Sequence, residues 1–236
     1  MSLPIRYARW MARDLVLGPG IPMAVLTVLA ALLTSRLEVV GPVAGADRAA
    51  CVVVLDWTAI GLILLATGGL VSADFAIGHQ RTLFAKPVSP PLYYLQRWLL
   101  GLVAVAVGTV VVAETIAVRF GVPVLGPAFV VRLALLYLVV GGLVFLLSTV
   151  TRRDWLAAAV LLAWQAALGG MRSMGFAQGP VGTVLHAVLP PVRLLGLADP
   201  LPAGSGLTLA LGYGTAVLLG ALAVLRWRPL ARGARE

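Results

Sequence analysis

Side chains that could do chemistry are few and scattered in this sequence. It contains nine acidic residues, two histidines and one cysteine among 236 residues. A membrane-embedded enzyme would need a clustered nucleophile, base or metal-binding set, and a single cysteine can form neither an internal disulfide nor a cysteine-type metal cluster. The GxxxxGK[ST] loop that cradles nucleotide phosphates is missing, and the only lysine, Lys86, stands beside a proline. We therefore expect no catalytic site, metal or cofactor in this chain.

Two acids, Asp56 and Glu114, lie within long apolar runs. A charged side chain at the bilayer centre costs roughly 2.5 to 3.5 kcal/mol, so each acid is a candidate for the substrate path or for ion coupling. Both lie nearer the predicted external ends of their runs, where the cost falls. Structural pairing with Arg119, Arg132 or Arg172 is therefore an equal alternative.

Composition places the chain in a membrane. A content of 61% hydrophobic and 11% charged residues leaves too little polar surface to cover a soluble globule. A spanning helix needs about 20 apolar residues, and six runs approach this length without the period-two alternation of barrel strands. They cover roughly residues 15–34, 49–71, 98–118, 129–150, 155–171 and 207–225. We predict an all-α polytopic membrane protein with six transmembrane helices in one domain, residues 1–236.

Orientation follows from the positive charges, because short loops rich in lysine and arginine stay in the cytoplasm. Most of these residues fall inside if both termini are cytoplasmic, which puts residues 74–97 and the tail, residues 226–236, on that side. The net charge of +9 then reflects topology and contact with anionic membrane lipid. No soluble face interleaves basic and aromatic residues, so we expect no nucleic-acid partner. The preference for arginine over lysine is typical of a GC-rich prokaryote. We therefore predict that the chain lies in the plasma (inner) membrane of a prokaryote.

The first 14 residues are predicted to form an interfacial helix. Arg6, Arg9 and Arg13 fall on one side of a helix and Met11 on the other, so the helix would lie along the cytoplasmic headgroups. Residues 18–20, Gly-Pro-Gly, would supply the break from which the chain enters the membrane. A topology signal without an interfacial helix is the alternative interpretation.

A polar stretch, residues 74–97, separates the second and third apolar runs and carries more features than a simple connection needs. Asp74 and Gly78 stand one helical turn apart. Leu83 and Phe84 are apolar at a place where the chain should be exposed to water. Apolar residues at a cytoplasmic surface often insert into a partner's groove. The stretch is therefore predicted to bind a partner.

The second half of this stretch is predicted to end one short helix and begin the third span. Pro87 disfavours helical geometry at the residue before it, and Ser89 is a candidate N-cap for the following helix. Tyr93, Arg97 and Trp98 are aromatic and basic residues of the kind that anchor a helix at the membrane interface.

The stretch resembles the cytoplasmic connection of the type 2 family of ATP-binding-cassette (ABC) transporter permeases. That family's segment has an acid, a glycine, an apolar pair, a Pro-Val-Ser turn, an aromatic residue and a final basic residue. The corresponding residues here are Asp74, Gly78, Leu83, Phe84, Pro87, Val88, Ser89, Tyr93 and Arg97. His79 and Pro90 depart from the pattern, since threonine and a basic residue are usual there. The six spans and the N-terminal helix also resemble the family.

The resemblance implies a transmembrane permease subunit of an ABC exporter that moves a hydrophobic or amphiphilic substrate outward. Its partners would be a second permease copy, in a homodimer or heterodimer, and two copies of a cytoplasmic ATPase that uses ATP and magnesium. In the family the short helix, here residues 74–84, sits in a cleft of the ATPase and acts as a coupling helix. A heme-exporter-like subunit falls within this class.

Two other function classes remain open on the sequence. An ion-coupled secondary transporter would use Asp56 or Glu114 and would show an internal repeat, which the sequence does not show. The second open class is a membrane scaffold that transports nothing.

Residues 172–206, between the fifth and sixth runs, are too long for a turn and too short for two further spans. Two apolar pieces, residues 181–188 and 192–198, are split by a Pro-Pro pair. Irregular backbone at membrane depth is tolerated only when it is buried in protein or lines a cavity. We predict short re-entrant or external helices that cap the outer end of the path, with an ordinary external loop as the alternative.

Overall fold

The computed structural model describes residues 5–38, 45–72, 74, 89–121, 123–151, 154–173, 195–197 and 204–227. Every regular element within these residues is helical, and the all-α prediction is confirmed for them. The helices are α1 (Ile5–Leu15), α2 (Ile21–Arg36), α3 (Ala46–Thr67), α4 (Pro90–Phe120), α5 (Pro127–Leu136), α6 (Gly142–Val150), α7 (Asp154–Ser173) and α8 (Ser205–Trp227). Two π-helical turns, Val16–Gly20 and Tyr137–Gly141, join α1 to α2 and α5 to α6.

Among the described residues, five helical stretches are long and apolar enough to cross a membrane. They are Arg9–Arg36, Ala46–Thr67, Pro90–Phe120, Pro127–Val150 and Ser205–Trp227. These correspond to five of the six predicted runs and indicate a membrane-embedded protein. The other run forms α7, a helix of 20 residues that is not among the five, so a sixth span stays a prediction.

The surface of α2 shows why a bilayer suits this fold. Only 11% of the most apolar window of its span is buried. Its outward side chains, among them Val28, Leu29 and Leu32, are each more than half exposed. Monomeric soluble proteins rarely expose apolar patches of this extent, whereas hydrocarbon would cover this one in a membrane.

The stretch Pro127–Val150 lies at the centre of the bundle, with 67% of its apolar window buried. It packs against α3, α7 and α8. Gly141 permits one of these close approaches, because a Cβ atom there would lie 3.3 Å from Trp98 Nε1 and 3.4 Å from Thr67 Cγ2. A small residue at this position therefore allows the helices to pack closely.

Helices α3 and α4 run antiparallel, because Gly101 lies beside Ala66 and Gly108 lies beside Leu62. Helix α2 packs against both. The three meet at Gly108, where a Cβ atom would lie 2.8 Å from Thr27 Oγ1 and 2.9 Å from Leu62 Cδ1. A larger residue here would force the helices apart. This arrangement brings the end of α3 beside the beginning of α4, which is where the predicted partner-binding stretch begins and ends.

The expected break at residues 18–20 is a π-helical turn instead. Gly20 and Ile21 keep right-handed helical dihedral angles, with φ of −63° and −62°. Glycine fits here because a Cβ atom would lie 2.8 Å from the carbonyl oxygen of Leu15. A π turn widens the helix where proline removes a hydrogen-bond donor. The chain therefore stays helical through the turn between α1 and α2.

Helix α1 has the two-sided character that the sequence predicts. Met11 is 3% exposed, whereas Arg9 and Arg13 are exposed. The helix contacts α4, so its apolar side meets the bundle as well as any membrane surface.

Candidate functional site

The structure describes the two ends of the predicted partner-binding stretch. Five of its predicted contact residues lie outside the described residues, so their roles stay predictions; these are Gly78, Leu83, Phe84, Pro87 and Val88. Asp74 and residues from Ser89 onward are described, and they show how the stretch joins the membrane helices.

Asp74 forms an ion pair with Arg97. The carboxylate of Asp74, a residue only 7% exposed, accepts a hydrogen bond from Arg97 Nη1 at 3.1 Å. The same Nη1 lies 3.4 Å from the carbonyl oxygen of Leu70. The carboxylate was predicted to contact a partner, but it is turned into the protein, where charge pairing offsets its burial. Asp74 therefore positions the start of the stretch.

Ser148, on α6, fixes the chain where it leaves α3. Its Oγ accepts hydrogen bonds from the backbone N–H groups of Val71, at 2.9 Å, and Ser72, at 3.0 Å. These donors follow the helix end, where a buried backbone N–H group needs a hydrogen-bond partner. Sequence reasoning missed Ser148, since no local pattern connects it to residues more than 70 positions earlier. We call Asp74, Arg97 and Ser148 the Asp74 lock.

Ser89 occupies the N-cap position of α4, as predicted, with extended dihedral angles of −71° and 117°. Its side chain makes no capping hydrogen bond. The cap therefore depends on backbone geometry and on the proline that follows.

Tyr93 and Trp98 were predicted to face the headgroups, but the structure places them inside the protein, 7% and 5% exposed. The Trp98 ring lies 4.7 Å from the ring of Tyr137, whose hydroxyl donates a hydrogen bond to the Trp98 carbonyl oxygen at 2.5 Å. Together with Arg97, which pairs with Asp74, they lie on the side of α4 that meets the bundle. These residues bind α4 to its neighbouring helices.

Asp56 and Arg132 hold a short segment of the region before α8. Asp56 Oδ1 accepts a hydrogen bond from the backbone N–H of Leu197 at 2.8 Å. Arg132, only 2% exposed, donates from Nη1 to the carbonyl oxygen of Gly196. We call Asp56, Arg132 and residues 195–197 the Asp56 clamp. Asp56 therefore has a structural contact, while its predicted pairing with an arginine and its predicted substrate role both stay predictions.

The clamped segment is itself buried, with Leu195 and Leu197 only 1% and 2% exposed. Non-helical backbone at membrane depth requires such a protein environment. These three residues are therefore packed against the bundle, and the predicted re-entrant or external helices stay a prediction. The predicted piece at residues 181–188 lies outside the described residues, as do residues 192–194 and 198 of the predicted piece at residues 192–198.

Arg119, one candidate partner for Asp56, makes different contacts. Its two terminal nitrogens donate to the carbonyl oxygens of Thr34 and Leu37 at the end of α2. The guanidinium also lies 4.0 Å from the Asp47 carboxylate. A cation favours the carbonyl end of a helix, so Arg119 ties the end of α2 to the beginning of α3.

Glu114 is exposed on α4, beside an open groove of about 550 Å³. Among the residues that the structure describes, it forms no ion pair. The two acids that the sequence selected together therefore have different environments.

The described residues contain no group of three or more histidine, cysteine or acidic side chains placed to hold a metal ion. Fold and contacts together define a helical, membrane-embedded protein whose spans are joined by buried polar contacts. No protein-family model matches the chain, and no curated protein matches it.

Proposed function

We propose that this chain is the transmembrane permease subunit of an ABC exporter, which carries a hydrophobic or amphiphilic substrate outward. It lies in the plasma (inner) membrane of a prokaryote with both termini in the cytoplasm. It pairs with a second permease copy and with two copies of a cytoplasmic ATPase, which bind ATP and magnesium. Residues 74–84 form the coupling helix that docks on the ATPase.

The Asp74 lock is the observation that supports this proposal most. A segment that passes a conformational change from a partner to membrane helices must be attached firmly to those helices. Arg97 attaches the start of the segment to α4, and Ser148 attaches the end of α3 to α6. Movement of residues 74–84 would therefore displace three helices together.

The sequence of the segment supplies the docking chemistry. Leu83 and Phe84 would enter an apolar groove of the ATPase, with Gly78 on the face of Asp74. Pro87, Val88 and Ser89 make the turn into α4. An ion-coupled transporter finds less support, because Asp56 already binds the Leu197 backbone.

Affinity purification of the tagged chain tests the proposal. We expect it to bring down a chain that contains a GxxxxGK[ST] loop and hydrolyses ATP. The double substitution Leu83→Ala, Phe84→Ala should reduce this capture more than tenfold, since burial of each side chain contributes about 1.5 to 3 kcal/mol.

The matched control is Leu32→Ala, Leu33→Ala, an adjacent pair on α2 that is 56% and 49% exposed. It should leave the captured amount unchanged. Equal capture by both double variants, or a partner without a nucleotide-binding loop, would count against the proposal.

A further inference from the structure

An open groove lies on the outside of the bundle, between the last turn of α2 and the C-terminal part of α4. Its volume is about 550 Å³. It is lined by Ser35, Val110, Val111, Glu114, Thr115, Val118 and Arg119. The lining therefore combines one carboxylate, one guanidinium group and two hydroxyl groups with an apolar surface.

Apart from the Arg119 guanidinium, the polar side-chain atoms of this groove are available as hydrogen-bond acceptors. The Ser35 hydroxyl donates its proton to the carbonyl oxygen of Leu32 at 2.8 Å, and the Thr115 hydroxyl donates to that of Val111 at 2.9 Å. Each hydroxyl oxygen can then only accept, as can the ionised Glu114 carboxylate. Both terminal nitrogens of Arg119 already donate to backbone carbonyls, as described above. The groove thus favours a ligand that carries donors and positive charge.

The position of Glu114 makes such a ligand energetically useful. It lies six residues before the end of α4, about 9 Å deeper along the helix axis. Among the described residues it has no ion-pair partner. A carboxylate at this depth in a span is costly unless it is paired, and a charge-assisted hydrogen bond would relieve that cost.

The apolar surface continues from Glu114 toward the middle of the span. Val103 and Val107 are 60% and 62% exposed, on the same helix as Val111 at 46%. Their spacing of four residues keeps them on one side of α4. This stripe can lie along an extended hydrocarbon chain.

We propose that this groove binds a single-chain amphiphile with a primary ammonium head. The ammonium group donates to the Glu114 carboxylate and to the hydroxyl oxygens of Ser35 and Thr115. The hydrocarbon chain follows the valines toward the bilayer centre. This inference names an amphiphile class beyond the proposed function, and the binding does not require an ATPase.

The order of charges argues against a phospholipid in the same place. In an amino phospholipid the phosphate lies nearer the hydrocarbon than the terminal ammonium does. An ammonium at Glu114 would therefore place the phosphate beside Val110 and Val111, which offer no donor side chain. Arg119, the cation that lines the groove, lies on the opposite side of Glu114, toward the helix end. A head with a single positive charge fits better.

Photolabelling in phosphatidylcholine proteoliposomes tests this site. The probe is a long-chain primary alkylamine that carries a diazirine, and the readout is the amount and position of label in the α4 peptide. Labelling of residues 103–118 should saturate in the wild type, and Glu114→Gln should weaken the apparent affinity about tenfold or more. Glu38→Gln, at an exposed acid beyond the end of α2, is the matched control and should change nothing.

Competition with unlabelled amphiphiles distinguishes which chemical class of head group the groove binds. Dodecylamine should displace the probe, and dodecyltrimethylammonium, which keeps the charge but has no N–H donor, should displace it at least about tenfold less well. Equal labelling of Glu114→Gln and wild type would overturn the proposal. Displacement by phosphatidylethanolamine as effective as that by dodecylamine would also overturn it, in favour of a lipid.

A second copy of this chain could cover the groove instead of an amphiphile. A cysteine cross-link tests this alternative. Val111→Cys in a Cys51→Ala background should give no disulfide-linked dimer after oxidation in proteoliposomes. An efficient cross-link would show that the partner covers the groove and would overturn the amphiphile proposal.

Discussion

The Asp74 lock and the Asp56 clamp use similar side chains in different ways. In the lock, an acid and an arginine 23 residues apart bind each other. In the clamp, an acid and an arginine from α3 and α5 each bind a backbone group of a third segment, Leu197 and Gly196. The lock joins consecutive spans at the point where one ends and the next begins, whereas the clamp holds a distant piece of chain against the bundle.

The difference suggests a division of labour between the two regions. A buried ion pair resists separation because either charge alone would be left uncompensated. Single hydrogen bonds to a backbone segment contribute less each and can be broken one at a time. The lock suits the rigid transmission that we propose for the coupling segment, and the clamp suits the predicted cap if that cap can be released.

Breaking the lock should give the largest loss of stability. Arg97→Leu leaves Asp74 buried without its cation, and we expect a loss of about 2 to 4 kcal/mol, below the full value for a buried pair because the Arg97 side chain is 22% exposed. The measurement is the free energy of unfolding in mixed detergent micelles.

Arg13→Leu, at an exposed arginine on α1, makes the same change in charge and should stay within about 0.5 kcal/mol of wild type. Adding Asp74→Asn to Arg97→Leu should recover part of the loss, since the unpaired charge is removed. A strictly additive double variant would show that the pair is not coupled.

Releasing the clamp should have a smaller effect. Asp56→Ala removes the acceptor for the Leu197 N–H, and we expect about 1 to 3 kcal/mol of destabilisation. Asp56→Asn keeps an oxygen acceptor in the same place and should lose less. The same unfolding measurement compares them, and identical losses for both would assign the effect to the charge rather than to the hydrogen bond.

Much of the bundle could be predicted because length and apolarity decide which segments form spans. Five predicted runs match helices that are long and apolar enough to cross a membrane. The turn at residues 18–20 was predicted wrongly, because a Gly-Pro-Gly sequence is as typical of a helix break as of a π-helical turn. Only the close approach of Gly20 to the Leu15 carbonyl oxygen shows that the chain stays helical.

The partners of the polar residues could not be predicted from local pattern. Asp74 and Arg97 were both selected, but as a partner contact and an interface anchor, because the antiparallel packing of α3 and α4 that joins them is a tertiary property. Asp56 was predicted to pair with an arginine or to contact a substrate, and no local pattern indicated the hydrogen bond that it accepts from a backbone N–H 141 positions away. Every residue carries a backbone carbonyl, and every residue except proline carries a backbone N–H, so a sequence does not show which of these groups a side chain will bind.

Site-specific photo-cross-linking in living cells tests the central claim most directly. A photoreactive amino acid at position 83 should cross-link to a cytoplasmic chain that contains a GxxxxGK[ST] loop, and the same group at position 32, on the exposed face of α2, should not. Finding that ATPase only at position 83 is the predicted result. Absence of any nucleotide-binding chain from the position 83 products, with the protein folded and inserted, would contradict the role of residues 74–84 as the coupling helix of an ABC exporter.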